Sequence, residues 1–319
     1  MKTAVLILPY FGKLPDIFPL YINSIEKNPT IDFIIATDCE IRGKLPNNIK
    51  IISESFKKFS ERFKRTLGDD IVLESPYKFC DYRPAFAYVL PECVKGYDYW
   101  GYCDCDLIWG DIRKFIDDPM EKEYDKVLAC GHLCLFRNCS ENNALFINGV
   151  GAKEIFARAS HCSSPQWFDE DYLGRDNIQR IFLANDKTVF AEDYSITPNI
   201  DSDGFALRKY DPDKMKFIDI PNKGERYYWE NGKIFQVSNS NGRIERKEYA
   251  YMHFQQRYMH GVQDVIDEPI FRIVPNRFIK CSKIPENVNE WNKERKFYFS
   301  GQRLIQLKKR IVNKVRRYM

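Results

Sequence analysis

A chain of 319 residues, 44% hydrophobic and 15% aromatic, carries enough apolar side chains for one large or two modest packed domains, which excludes a disordered chain. No stretch approaches the roughly 18 to 20 uninterrupted apolar residues of a membrane-spanning helix, and the apolar start at residues 3–8 is broken by Pro9 too early for a secretory signal, so the expectation is a cytoplasmic protein without a span. The net charge of +4 is uneven: residues 301–319 hold seven Lys and Arg and no acid, leaving −3 for the body, a distribution that argues against nucleic-acid binding.

In chain order, residues 3–8 form a continuous apolar run of the buried parallel-strand type, closed by Pro9-Tyr10-Phe11-Gly12. A helix is predicted over 15–27, with Ile17, Leu20, Tyr21, Ser24 and Ile25 on one face. Strands follow over 32–38 and 49–52, then a helix over 56–67. This alternation predicts a parallel sheet with helices on its faces, in which ligands bind at the carboxyl ends of strands. Pro9 to Gly12, Thr37-Asp38 and the acids near residue 104 all fall at such ends.

A helix is expected over 85–94 with Pro84 in its first turn. Lys78, Asp81 and Arg83 then sit at or just before a helix start, where backbone N–H groups favour anions. There Lys78 and Arg83 can meet a diphosphate and Asp81 can accept from a base or ribose; the competing reading is a capping Asp with two solvated cations.

The run from Tyr97 to Asp111 contains Asp104-Cys105-Asp106 at the end of an aromatic, strand-like segment. Residues two apart on an extended backbone share a side. Both carboxylates can therefore face one hard divalent cation, which takes oxygen ligands and commonly keeps substrate phosphates in its shell. Alone, an Asp-x-Asp is more often a solvated turn. Cys103 and Cys105 would point the other way, into the core. None of the ten cysteines forms a Cys-x-x-Cys pair, so all are expected as free thiols in a reducing compartment.

Further strands are predicted over 126–130 and 133–136, around Gly131-His132. Asp169, Glu170 and Asp171 then cluster beside Trp167, Phe168 and Tyr172, ahead of a helix over 176–184. Asp169 and Glu170 are candidate catalytic acids, because aromatic faces commonly wall ligand clefts; three adjacent acids are also a frequent solvated loop. A hairpin over 227–237 turns at Asn231-Gly232, and a strand over 248–254 carries His253, which can be a metal donor or a hydrogen-bonded core residue. His132 is a weaker candidate for the acceptor, and His161 and His260 carry less. Leu304, Leu307, Ile311 and Val315 recur at helical spacing among the basic residues of 301–319. That tail reads as a basic amphipathic helix, either lying on an anionic inner membrane leaflet, or packed on its own domain or frayed in solvent.

At residues 77–84, 99–111 and His253-Phe254-Gln255, with Pro9-Tyr10-Phe11-Gly12 in the same style, the sequence resembles a family of bacterial glycosyltransferases found among capsule and lipopolysaccharide genes, over roughly residues 1–260. The resemblance implies a GT-A-like fold, a mixed and mainly parallel sheet flanked by helices. It divides the chain into a nucleotide-sugar half at 1–140, an acceptor half at 141–260 and an extension at 261–319 ending in the basic helix. It implies that Asp104 and Asp106 bind ribose and a Mn²⁺ or Mg²⁺ ion against the donor diphosphate, with His253 reaching the metal. Pro9, Tyr10, Phe11, Gly12 and Asp38 would line the nucleoside. The implied donor is a nucleotide-diphosphate sugar, first of all a UDP-sugar, and the implied acceptor a glycan or lipid-linked intermediate. A noncatalytic carbohydrate-binding or scaffold protein, or another metal-dependent nucleotide-processing enzyme, are the alternatives.

Overall fold

The computed structural model describes residues 1–318 apart from 172, 173, 256, 297 and 299, and the side chains up to residue 312. Tyr172, the side chains of Lys314, Val315, Arg316 and Arg317, and Met319 lie outside the described residues.

The first half follows the expected alternation: β1 (Ala4–Pro9), α1 (Phe18–Glu26), β2 (Ile31–Thr37), β3 (Ile49–Ser53) and α2 (Phe56–Leu67). Ser55 caps α2 by accepting from the Lys58 N–H. The predicted helix over 85–94 is not continuous. Two 3₁₀ turns, Pro76–Asp81 and Arg83–Ala85, lead into α3 (Phe86–Val89) and α4 (Pro91–Val94). Leu90 between them has φ −123° and ψ 55°, because the residue before a proline avoids the helical region and Pro91 has no N–H to donate.

Then come β4 (Tyr99–Cys103), β5 (Leu107–Trp109), α5 (Arg113–Glu121), β6 (Lys126–Val127), β7 (Leu133–Arg137), α6 (Ser140–Asn148), α7 (Ala152–Ser160), α8 (Ile178–Ala184), β8 (Val189–Phe190) and β9 (Ser195–Ile196). The predicted strand over 126–130 stops at Val127, since Leu128 takes a positive φ of 69°. A hairpin of β10 (Leu207–Asp211) and β11 (Lys216–Ile220) precedes β12 (Arg226–Glu230), β13 (Lys233–Ser240), β14 (Arg243–Tyr249) and β15 (Tyr251–His253). The chain ends with α9 (Val262–Val265), β16 (Ile270–Val274), β17 (Arg277–Lys280), α10 (Val288–Lys293) and α11 (Gln302–Tyr318).

The central sheet has the order β3-β2-β1-β4-β7-β6-β8. Its first four strands are parallel and β7 is antiparallel to both neighbours. This is the mixed, mainly parallel sheet flanked by helices that the resemblance implies. Alternate residues of β1 feed two layers: Val5 and Ile7 pack on the side of α2 and α3, while Ala4, Leu6 and Leu8 pack on the side of α1 and α5. Within the first layer Phe79 lies 5.2 Å from Phe63, 5.5 Å from Phe59 and 6.0 Å from Phe11 between ring centroids. Burying such a ring contributes roughly 1.5–3 kcal/mol, and here it anchors the 3₁₀ turn that immediately precedes the one carrying Arg83.

A five-stranded antiparallel sheet, β14-β13-β12-β16-β17, stands beside the central one. Because β12 pairs with β16, this sheet draws on both sides of residue 260, and the expected division of 1–260 from 261–319 does not coincide with a boundary between sheets. The predicted strand over 248–254 likewise divides at Ala250: β14 stays in the five-stranded sheet, and β15 joins β5 and β9 in a three-stranded one. Among the described residues no helix is long and apolar enough to cross a membrane.

Candidate active site

Asp104 immediately follows β4, at the carboxyl end of a strand parallel to β1, and Asp106 immediately precedes β5. The antiparallel register of β15 on β5 sets His253 opposite Leu107, and the Phe254 N–H donates to the Asp106 carbonyl at 2.9 Å. A residue far along the chain is thereby delivered to the acidic pair. His253 Nε2 lies 3.6 Å from Asp104 Oδ2 and 3.5 Å from Asp106 Oδ1. Cys103 and Cys105 turn into the core, and Cys103 Sγ meets the Tyr21 hydroxyl at 3.3 Å.

One ligand atom each from Asp104, Asp106 and His253 fall within 4.8 Å of one another. Neighbouring ligands on a small octahedral cation at about 2.1 Å stand about 3 Å apart, so two carboxylates and an imidazole at this spacing fit a Mg²⁺ or Mn²⁺ ion. Burial works to lower the His253 pKa, but Asp106, Asp104 and Glu170 outweigh it and the net direction is upward. His132 stacks behind it with ring centroids 4.3 Å apart, Nδ1 against the Tyr251 hydroxyl at 2.7 Å. Burial, reinforced by the His253 charge, holds His132 well below the ordinary histidine value. It is therefore a neutral backing group.

Arg83 ties this cluster to the acidic loop. One guanidinium nitrogen donates to Asp104 Oδ1, and the other donates to Asp169 Oδ2 at 2.8 Å and to the Gly131 carbonyl at 2.7 Å. Asp169 is buried, and its Oδ1 has no hydrogen-bond partner among the described residues. Desolvation raises the Asp169 carboxyl well above its usual range; Arg83 pulls it down and Glu170 pushes it further up. Glu170 is raised by the same desolvation, against the Gly131 N–H that donates to its Oε2 at 3.2 Å. A Cβ at Gly131 would stand 2.9 Å from Asp169 Oδ2 and 3.2 Å from Glu170 Oε2. Glycine there is what lets both carboxyls crowd the strand end. Sequence reasoning marked Gly131 only as a strand-end residue.

These groups floor a cavity of about 900 Å³, within the range of ligand sites. Pro9, Tyr10, Phe11 and Tyr77 line it, as do Arg208, Phe217 and Tyr258, none of which three the sequence flagged. Gly12 and Asp38 are not in the lining. Gly12, at φ +98°, donates its N–H to Asp38 Oδ1 at 3.0 Å, so this pair shapes the loop that presents Tyr10 and Phe11.

Lys78 and Asp81 are also absent from the lining, which corrects the expectation that they contact a ligand. Their side chains are 1% and 0% exposed and pair with each other at 2.5 Å. Lys78 donates to the Ala159 and Ser164 carbonyls, and Asp81 accepts from the Gln166 and Phe168 N–H groups. Full satisfaction is what allows a buried ion pair, and this one fastens the loop leading to Asp169. Asp171 is buried against Arg180, Asn177 and Tyr210, away from the cavity. His161 pairs with Asp70 near the surface, and the His260 backbone bridges to Arg277.

A family model described as a family of unknown function, DUF6625, matches residues 6–282. No curated protein matches the chain. Solved structures similar to it include the galactosyltransferase LgtC, in complex with donor and acceptor sugar analogs, at 10% identity and TM-score 0.34 over 62% of this chain and 77% of that one. Mouse xyloside xylosyltransferase 1, in its apo form, is similar at 8% identity and TM-score 0.32 over 62% of this chain and 87% of that one. Both scores are too low for the likeness to assign an activity to this chain.

Proposed function

We propose that this chain, which belongs to the DUF6625 family of unknown function, is a metal-dependent glycosyltransferase with a GT-A-like fold. It would move a sugar from a nucleotide-diphosphate donor, first of all a UDP-sugar, to a glycan or lipid-linked acceptor of the capsule or lipopolysaccharide kind. The observation that carries the reading is the convergence of Asp104, Asp106 and His253 beside Arg83 and Asp169 on the floor of one cavity, at the carboxyl end of a parallel strand.

A Mn²⁺ or Mg²⁺ ion held by Asp104, Asp106 and His253 would neutralise charge on the leaving diphosphate. Arg83 holds one oxygen of Asp104, leaving Oδ2 directed at His253. Tyr10, Phe11 and Tyr77 offer aromatic surface to the nucleoside. In this reading residues 1–140 hold the donor and 141–260 supply the acceptor side.

Asp169 is the base. Its Oδ1, without a hydrogen-bond partner among the described residues, can accept the acceptor hydroxyl proton while Arg83 orients the carboxylate through Oδ2. Burial raises its proton affinity, and a stronger base accepts a proton more readily. As the proton leaves, the hydroxyl oxygen bonds to the sugar's anomeric carbon and the bond to the diphosphate breaks. The protein works at the inner face of the cytoplasmic membrane as a peripheral enzyme.

Calorimetric titration with UDP, GDP, CDP and their common sugar conjugates, in Mn²⁺ and in chelator, tests this on wild type and Asp106→Ala. The expected result is metal-dependent binding of one nucleotide, lost in the variant. Absence of nucleotide binding in every condition would return the protein to the carbohydrate-binding or scaffold class.

A further inference from the structure

Helix α11 is docked with its polarity inverted. Gln302 and Gln306, one turn apart, are 2% and 8% exposed and face the body, while Leu304, Leu307 and Ile311 are 65%, 54% and 56% exposed. Ile305 and Val312 are also exposed beside them. A helix that only stabilised its own domain would bury its apolar stripe. This one buries two amides whose side-chain nitrogens have no hydrogen-bond partner among the described residues, an arrangement that costs stability.

Among the described residues, the contacts that hold α11 are polar. Arg310 pairs with Asp201 at 2.6 Å, the Arg303 N–H donates to Asp203 Oδ1 at 3.1 Å, and the Ser300 hydroxyl donates to the Asp203 carbonyl at 2.8 Å. The outward stripe therefore awaits an apolar partner, and the charge around it selects which one. Residues 301–319 carry seven cations and no acid. Two copies of such a helix would bring like charges together, whereas an anionic lipid surface supplies opposite charge and an apolar interior to the same face.

We infer that α11 seats this protein on an anionic bilayer through Leu304, Leu307 and Ile311, and that it does so at the acceptor side of the cavity. The second part follows from the loop beneath the helix. Asp201 and Asp203, which hold α11, flank the same turn as Ile200, and Ile200 lines the cavity. Arg257 fastens that turn by donating to the Asn199 and Ser202 carbonyls, and it lines the cavity as well. The bilayer contact and the cavity wall are thus built on one short segment. This assigns the acceptor to molecules presented at a lipid surface, and it rests on the sugar-transfer reading.

The test is flotation of the purified full-length protein with phosphatidylcholine vesicles, with and without phosphatidylglycerol, for wild type and for Leu307→Glu/Ile311→Glu. Both substituted side chains are exposed, so the fold is not at risk. Wild type should float with phosphatidylglycerol vesicles and lose that binding as salt rises, and the variant should bind about tenfold less or weaker still. Failure of wild type to float, or equal flotation of the variant, would overturn the inference. A dimer in solution that the same substitutions dissolve would also overturn it, giving the face to a second copy. Mn²⁺-dependent nucleotide binding is measured on the same samples without vesicles. Nucleotide binding without flotation removes only the bilayer contact, and flotation without nucleotide binding removes the sugar-transfer reading.

Discussion

Arg83 donates to Asp104 from one guanidinium nitrogen and to Asp169 from the other. One side chain thereby sets the orientation of a candidate metal ligand and of the candidate base, two residues that come from different halves of the chain. A lysine keeps the charge but not the planar fork. Arg83→Lys is expected to fold and to bind Mn²⁺ with nucleotide about 10- to 100-fold more weakly, the usual effect of removing a group that orients a metal ligand. Titration calorimetry reads it. Binding equal to wild type would show that Asp104 is held without the fork.

Asp106→Asn takes away a ligand charge and His253→Gln takes away the imidazole nitrogen, and both leave the neighbouring strands β5 and β15 intact. Stabilisation of the wild type by Mn²⁺ should reach about 2.7 kcal/mol at a concentration 100-fold above its dissociation constant. Thermal melting with and without the ion measures that shift. It should vanish in both variants, while their metal-free melting stays close to wild type. A surviving shift in His253→Gln would leave the site to the two carboxylates.

How far the sequence reaches is visible in these residues. Asp104 and Asp106 were legible because two acids one residue apart at the end of an aromatic strand break its apolar pattern. The sequence places His253 with the cluster only by resemblance, since the pairing of β15 with β5 brings His253 to Leu107 from far along the chain and no local pattern encodes it. The inverted docking of α11 is of the same kind: its stripe is periodic in sequence, but which face is covered depends on the loop around Asp201. The break in the helix over 85–94 was encoded locally, in Pro91, and a reading that weighted Pro84 as a starter overlooked Pro91 as a breaker.

Lys78 and Asp81 illustrate the opposite error. At a helix start they resemble ligand contacts, yet they pair with each other and the chain between Ala159 and Phe168 closes over them and takes up their other hydrogen bonds. Asp81→Asn should cost about 3–5 kcal/mol, because it leaves the Lys78 ammonium buried without its partner. Urea unfolding measures the loss, and hydrogen exchange should quicken at Gln166 and Phe168. Unchanged stability would mean that the pair is open to solvent and free to meet a ligand after all.

Asp169→Asn keeps the shape of the side chain and removes the proton acceptor. A positioned general base is worth about 10²- to 10⁴-fold in rate, so kcat for transfer should fall by about that much. Donor affinity should hold, because Asp169 touches Arg83 rather than the cluster of Asp104, Asp106 and His253. Loss of donor affinity with kcat preserved would give Asp169 a positioning role through Arg83.

Glu170→Gln separates the energetic cost of the acidic loop from its chemistry. A carboxyl with a higher pKa in the folded chain than in the unfolded one keeps its proton longer when folded, so stability declines as pH rises from the ordinary glutamate value, about 4.3, through the raised folded value, and the decline is complete above it. Desolvation gives Glu170 that direction. Glutamine keeps a carbonyl oxygen for the Gly131 N–H and abolishes the titration. In chelator, wild type and Glu170→Gln should melt alike at the acid end of the window, and the variant should melt higher at neutral pH, each 1 kcal/mol appearing as roughly 1–2 °C in a chain of this length. If the variant melts lower at neutral pH, the ionised carboxylate stabilises the fold and the crowding of Asp169 and Glu170 at Gly131 carries no energetic penalty.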